Sequence, residues 1–320
     1  MAHLREKNKL MFIGVSVGVA YGLITRLVLG EEATLASMSF LFVFPAILGI
    51  VPLLFAHRDQ LLSYKNILFI PWLTIASVFL AMILTGLEEV ACLMILAAPF
   101  FALGTVGALI LRLIQLHRER SKLKLSLLVL LPFLLAPAEQ LLQTPSSVFT
   151  IDSDAVVTAT PEIIWNNIVE VKTIREDEYK AGFFHAVGIP RPIRATVDRR
   201  AAGGRRVGNF EGGLTFIERI NRFEPVKTIS FDIAVDPKSV RPTVFDQHVL
   251  NGNYFTFVDA TYTLTPLAHG QVRLTLSSRY RLTSQVNFYG KIWGDLILED
   301  FQDRLLDVIQ QRCEAHAAIH

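Results

Sequence analysis

Residues 272–282 read VRLTLSSRYRL, an alternation that puts Val272, Leu274, Leu276, Ser278, Tyr280 and Leu282 on one side and Arg273, Thr275, Ser277, Arg279 and Arg281 on the other. A two-residue period marks a β-strand with one face on a core and one in water. Half-wet strands belong to antiparallel sheets, because parallel sheets are covered on both faces and read as continuous apolar runs. Immediately downstream the period changes. Over residues 289–315, Ile292, Leu298, Phe301, Leu305, Val308 and Ile309 recur at helical spacing and form one apolar stripe. A long helix after the last strand can bury that stripe on the apolar face of the sheet.

Upstream, residues 214–223 and 228–235 read as strands joined around Glu224-Pro225, followed by a short strand at 248–250 and a longer one at 254–264. Gly203-Gly204, Gly212-Gly213, Asn251-Gly252-Asn253 and His269-Gly270 supply the turns. Residues 149–158 read as the first strand. Thr160-Pro161-Glu162 then opens a helix, with Thr160 as cap, Pro161 at the first helical position and an acid at the positive helix end. A second short helix or loop covers 173–188. The fold class expected is α+β, a curved antiparallel sheet wrapped on a long C-terminal helix, which is the helix-grip arrangement.

Over residues 148–314 the chain resembles the START-like SRPBCC superfamily, in particular its polyketide cyclase/dehydrase and lipid transport members. The resemblance is carried by Ala159-Thr160-Pro161-Glu162-Ile163-Ile164-Trp165, by Phe223-Glu224-Pro225 followed by Ile229-Ser230-Phe231, and by Ser278-Arg279-Tyr280-Arg281. It continues through Trp293, Asp300-Phe301, Leu305-Leu306 and Arg312-Cys313-Glu314. It implies a cavity between sheet and helix that accepts a hydrophobic molecule. It implies no single reaction, since fold alone does not set function.

Before residue 145 the composition is of another kind. The chain is 52% hydrophobic and 19% charged overall, and apolar residues concentrate in five windows, 10–29, 36–55, 67–87, 90–113 and 125–142. Each is read as a transmembrane helix, since about twenty apolar residues cross roughly 30 Å of hydrocarbon. The fifth, with Pro132, Pro137 and Glu139, reads as a kinked span or an interfacial segment. Residues 1–144 are thus expected to form a membrane domain and residues 147–320 the START-like domain. Arg26, Glu31, Glu32, Glu88, Glu89 and Glu139 fall at the outer ends of the windows, where interfacial or loop positions are expected. Gly14, Gly18 and Gly22 give the first window one smooth face for helix packing.

After Pro145 there are 20 Lys and Arg against 21 Asp and Glu. That balance excludes nucleic acid as a partner, which needs a basic face. Cys92 and Cys313 make neither a disulfide framework nor a zinc spacing and read as small buried hydrophobes. After Pro145 there is no Gly-x-Ser-x-Gly elbow, and the chain holds no His-Glu-x-x-His helix or Cys-x-x-Cys pair. No catalytic residue, metal or cofactor is therefore assigned. Cavity candidates are polar residues on inward strand faces and their neighbours. Glu218 shares its face with Leu214, Phe216 and Ile220; Tyr254, Val258 and Tyr262 are expected on one face of their strand, and Leu276 and Tyr280 on one face of theirs. His185, after Phe183-Phe184, is expected at the cavity mouth. Asp246 and His248 are acid-base candidates by residue type, and Arg205-Arg206 reads as a solvated hairpin.

These readings converge on a membrane-anchored domain that binds a hydrophobic or lipid-like ligand, with the bilayer and a membrane lipid or similar small molecule as partners. The alternatives are a cyclase, dehydratase or hydrolase acting on a hydrophobic substrate, and a membrane sensor without a ligand. The compact design suggests a bacterial inner membrane. Arg5, Lys7, Lys9, Arg58, Lys65, Arg112, Arg118, Arg120, Lys122 and Lys124 all fall on one side of the predicted spans. The positive-inside bias then makes the N-terminus cytoplasmic and the C-terminal domain extracytoplasmic. Phosphatase and fluorescent-protein fusions at His320 test this: an active phosphatase and a dark fluorophore are expected, and the reverse pair contradicts the assignment.

Overall fold

The computed structural model describes residues 2–117 and 128–317. Arg118, Arg120, Lys122, Lys124 and the start of the fifth apolar window lie outside the described residues, as do the side chains of Arg5, Lys7, Glu31, Glu32 and Arg58. The chain divides into two compact units, residues 1–145 with 284–286, and residues 146–283 with 287–320.

In the first unit, helices α1 (Ala2–Ala36), α4 (Tyr64–Thr85) and α5 (Val90–His117) contain three stretches long and apolar enough to cross a membrane: Asn8–Gly30, Tyr64–Thr85 and Val90–Gln115. Left-handed Gly30 interrupts the helical geometry of α1. The second window differs from a straight span. It forms a broken helix, a π turn over Ser39–Val43, α2 over Phe44–Ile50 and a 3-10 turn over Val51–Phe55. Pro45 and Pro52 stand where the helix type changes and remove two backbone donors. Its Phe40, Phe44, Leu48 and Leu53 are buried, so it serves as a core element. A short α3 (Arg58–Leu62) follows, and the described part of the fifth window, residues 128–142, contains the ten-residue α6 (Leu131–Gln140).

The smooth face of α1 is used inside the chain. A Cβ at Gly14 would lie 2.3 Å from the Pro52 carbonyl oxygen, one at Gly18 2.5 Å from Thr74 Cγ2, and one at Gly22 2.7 Å from Val78 Cγ2. Arg26 and Glu88, expected in interfacial or loop positions, meet in a buried pair, with Arg26 Nε donating to Glu88 Oε1 at 2.7 Å. Glu139 likewise accepts from Ser37 Oγ at 2.8 Å, from the Ser39 backbone N–H at 2.9 Å and from Ser39 Oγ. A carboxylate removed from water needs such partners.

The second unit is a seven-stranded antiparallel sheet in the order β1-β7-β6-β5-β4-β3-β2. Its strands are β1 (Ser146–Val157), β2 (Pro192–Val197), β3 (Arg205–Phe210), β4 (Thr215–Glu224), β5 (Thr228–Val235), β6 (Phe255–Pro266) and β7 (Val272–Thr283). Helix α7 (Pro161–Val169) follows β1, the single-turn α8 (Phe183–Ala186) precedes β2, α9 (Val244–Leu250) lies between β5 and β6, and α10 (Asn287–Ala317) closes the chain. Helix α10 lies most extensively along β1, then along α7 and β7. Leu305, Leu306, Val308 and Ile309 of α10 are buried with Val157, Ile168, Ile220, Phe231, Leu274 and Leu276. This is the helix-grip architecture. The alternation expected in β7 is present: its even-numbered residues from Val272 to Leu282 are all buried.

Two details depart from the sequence reading. Residues 248–250, expected as a strand, end helix α9, because the Thr243 side chain caps it by accepting from the Asp246 backbone N–H. Strand β6 begins at Phe255, so Tyr254 lies just outside it, and its pairing with β7 shifts between Phe257 and Asp259. Val258 is the extra residue of that bulge. A bulge switches the side-chain parity of a strand. Phe257 therefore faces Tyr280 across the ladder before the bulge, while Ala260 and Tyr262 face Ser278 and Leu276 after it.

The C-terminal half of α10 is clamped to the segment after α7. Arg312 donates to Glu178 through Nε at 3.1 Å and Nη2 at 2.8 Å, and to the Lys172 and Thr173 carbonyls at 3.0 and 2.8 Å. The Arg312 hydrogen bonds hold the Glu178 carboxyl down at about 2 against partial burial, helped by the Arg175 backbone N–H and charge. A depressed carboxyl contributes stability that is present above the ordinary value and is lost as the pH falls through the folded value. Melting temperature should therefore fall between about pH 4.3 and pH 2, and Glu178→Gln should flatten that fall. An unchanged acid limb in the variant would show that the clamp carries no linkage.

Candidate functional site

The inner face of the sheet is fully buried at one end and part-exposed at the other. Strands β5 and β6 pair only from Thr228↔Thr263 to Asp232↔Asp259, although β5 runs on to Val235 and β6 begins at Phe255. Beyond the bulge the two strands diverge. At the buried end are Ile220, Ile229, Phe231, Tyr262, Leu274 and Leu276. At the diverging end the inward Phe149, Ile151, Ile233, Val235, Phe255 and Phe257 keep partial exposure. The buried apolar residues accordingly form separate groups, one around Phe231 and Leu305, one around Phe210 and Phe216, and one around Tyr280 and Leu298.

Aromatic rings line the diverging end as a band. Phe301 of α10 meets Phe210 with centroids 5.9 Å apart, Phe210 meets Phe216 at 4.5 Å, Phe216 meets Phe257 at 5.0 Å, and Phe257 meets Phe255 at 4.9 Å. Phe255 then stacks on Tyr280 at 5.4 Å, and Tyr280 meets Phe149 at 5.7 Å. Such edge and offset contacts stabilise rings without a filled aliphatic core around them.

Between this band and the buried end sits a buried charge pair. Arg206 of β3 faces Glu218 of β4 directly across the ladder, and its Nη1 donates to Glu218 Oε2. Arg206 is 4% and Glu218 6% exposed. Gly208, the next inward residue of β3, leaves the space, since a Cβ there would lie 3.1 Å from Glu218 Oε1. The Arg206 guanidinium carbon lies 5.0 Å from the Phe231 ring centroid, a cation–π approach. Burial opposes the Arg206 charge, but Glu218, with Tyr262, outweighs it and holds the guanidinium protonated. Burial pushes the Tyr262 hydroxyl up to about 12, with Arg206 working against the rise and Glu218 adding to it. Among the described residues Arg206 Nε is buried and has no hydrogen-bond partner. On the β7 side, Gln302 Nε2 of α10 donates to Ser278 Oγ at 2.7 Å, while Gln302 Oε1 and Ser153 Oγ of β1 are buried and have no partner among the described residues.

The structure brings Glu218 and Tyr262 to one interior locus, with Leu276 beside Tyr262 in register. Tyr280 is fully buried but committed elsewhere. Its hydroxyl donates to Asp295 Oδ1 of α10 at 2.6 Å; burial first, and then this hydrogen bond and the Asp295 charge, raise it above its ordinary value. Gly294 makes room for the ring, since a Cβ there would come 2.9 Å from it. Tyr254 and Val258 do not share the Tyr262 face, for the reason of the bulge. His185 lies in α8, its Nδ1 3.2 Å from the Ile189 carbonyl oxygen and 3.5 Å from Glu211 Oε2, where β3 ends. Asp246 is bound by Arg241 through two hydrogen bonds of 2.6 and 2.8 Å, a structural staple of the loop before α9. Arg206, expected in a solvated hairpin, is the residue the sequence reading missed. The parity of Arg206, Gly208 and Phe210 along β3 was its only sequence signal.

The sequence matches no family model and no curated protein. Solved structures resemble the second unit. An uncharacterized protein from Rhizobium leguminosarum is 10% identical, with 54% of this chain and 99% of that one covered at a TM-score of 0.34. Truncated norcoclaurine synthase from Thalictrum flavum is 12% identical, with 53% and 96% covered at 0.33. A Mycobacterium smegmatis protein is 17% identical, with 53% and 96% covered at 0.32. At these scores the likenesses carry no argument, and the helix-grip assignment rests on the strand order and the helix laid across it.

Removing one partner of the buried pair leaves an uncompensated charge, so Glu218→Met should cost about 3–5 kcal/mol. The double variant Arg206→Met/Glu218→Met removes both charges at similar volume and should recover most of that loss. Denaturant titration checks both. A single variant as stable as the parent would mean that Glu218 does not neutralise Arg206.

Proposed function

We propose that the second unit binds a hydrophobic or lipid-like molecule between the sheet and α10, and that the first unit holds it at a membrane. The observation that carries this reading is the Arg206–Glu218 pair, buried beside Tyr262 and next to an aromatic band of which Phe149, Phe255, Phe257 and Phe301 are part-exposed. A buried ion pair adds little stability over apolar side chains of the same volume. Its chemistry is better spent on a ligand, with Arg206 Nε offering a donor in an apolar surrounding. The ligand class that fits is an amphiphile with one polar head, oriented by the pair, and an apolar body against Phe210, Phe216, Phe257 and Phe301. The three long apolar helices support the membrane half of the proposal.

The test uses the double variant Arg206→Met/Glu218→Met of the full chain in nanodiscs, with uptake of a fluorescent fatty acid as readout. Uptake should fall by about tenfold, the equivalent of one charge-assisted hydrogen bond, while the melting temperature stays near that of the parent. Unchanged uptake with an intact fold would overturn the pair's role in binding.

A further inference from the structure

The outward face of α10 changes character along its length. Along one stripe its exposed positions are first Phe288, Ile292 and Leu296, which are 57%, 53% and 45% exposed, and then Glu299, Asp303, Asp307 and Gln311, before the exposed Ala315 and His316 at its end. Spacings of three and four residues put all seven on one stripe of the helix. Single exposed apolar residues are ordinary, but three large ones in a row on an otherwise polar helix face mark a surface that something covers. Tyr289 and Trp293, the aromatic types that favour membrane–water interfaces, flank the apolar part.

Chain connectivity says what the cover is. Helix α10 begins directly after residues 284–286, which belong to the unit carrying the three long apolar helices. At about 1.5 Å per residue, the apolar stripe ends within roughly 15 Å of chain from that crossing, and the acidic positions lie beyond it. A second copy is a poor fit, because a stable protein interface needs about 800 Å² per partner and three side chains supply far less. A lipid surface needs no complementary shape. The geometry points to the first three turns of α10 as an interfacial segment, with Phe288, Ile292 and Leu296 seated at the headgroup–acyl boundary and Glu299, Asp303 and Asp307 kept in water. This contact rests on the membrane half of the proposed function and not on its ligand half, so it would stand if the interior bound nothing.

The test places an environment-sensitive fluorophore on Ile292→Cys or Asp303→Cys of the full chain in nanodiscs made with or without brominated lipid. The parent chain, whose Cys92 and Cys313 are buried, is the labelling control. Brominated lipid should quench the probe at 292 at least about twofold more than at 303, and aqueous iodide should show the opposite order. Iodide reaching both sites equally would overturn the inference, as would a probe at 292 shielded from lipid and iodide alike in a dimeric particle. A circular-dichroism melt of each labelled chain shows whether it is folded, and Leu296→Cys serves as the second position if Ile292→Cys is not.

Discussion

A guanidinium in an apolar interior has to be neutralised, and the second unit is arranged around that constraint at Arg206. The β3–β4 register puts Glu218 opposite it, the missing side chain at Gly208 gives the carboxylate its space, and Phe231 offers its ring face. A one-residue slip in that register would send Arg206 to the wet face and turn β3 inside out. The apolar groups around it, centred on Phe231, Phe210 and Tyr280, are joined by the part-buried Ile233, Phe301 and Phe257.

The sheet and helix meet this interior in two ways. At the buried end, α10 lays Leu305, Leu306 and Ile309 onto aliphatic strand residues, and the Arg312–Glu178 clamp holds that half in place. At the other end the bulge at Val258 turns Phe255 and Phe257 inward just where β5 leaves β6. There the helix is held by Tyr280, whose hydroxyl reaches Asp295 under Gly294. One end is fixed by aliphatic burial and the other by the Tyr280–Asp295 hydrogen bond and by Leu298 among aromatic rings. Local opening is expected where burial is least, which is where a ligand would enter.

The architecture was legible wherever side-chain period reports burial directly. The alternation of β7, the stripe of α10 and the inward face of Glu218 all follow from spacing alone. The bulge was not, because the run from Tyr254 to Leu264 reads as an unbroken strand and nothing in it marks Val258 as extra; Tyr254 and Val258 were misplaced as a result. Helix α9 did leave a signal, Thr243 three residues before Asp246, but its seven residues are too few for period to speak. Arg206 was hidden by its neighbours, since two adjacent arginines beside a turn look solvated until the strand's parity is known. The aromatic band draws on β1, β3, β4, β6, β7 and α10, so no local pattern could have assembled it.

The claim that the interior receives an amphiphile is tested most directly by placing a photoreactive benzoylphenylalanine at Phe257, which faces inward, or at its neighbour Thr256, which is exposed on the outer face. Irradiated in native membranes and digested, the full chain should carry a lipid-like mass adduct on the peptide holding position 257 and none when the probe is at 256. A bare peptide at 257, or the same adduct at both positions, would contradict the account.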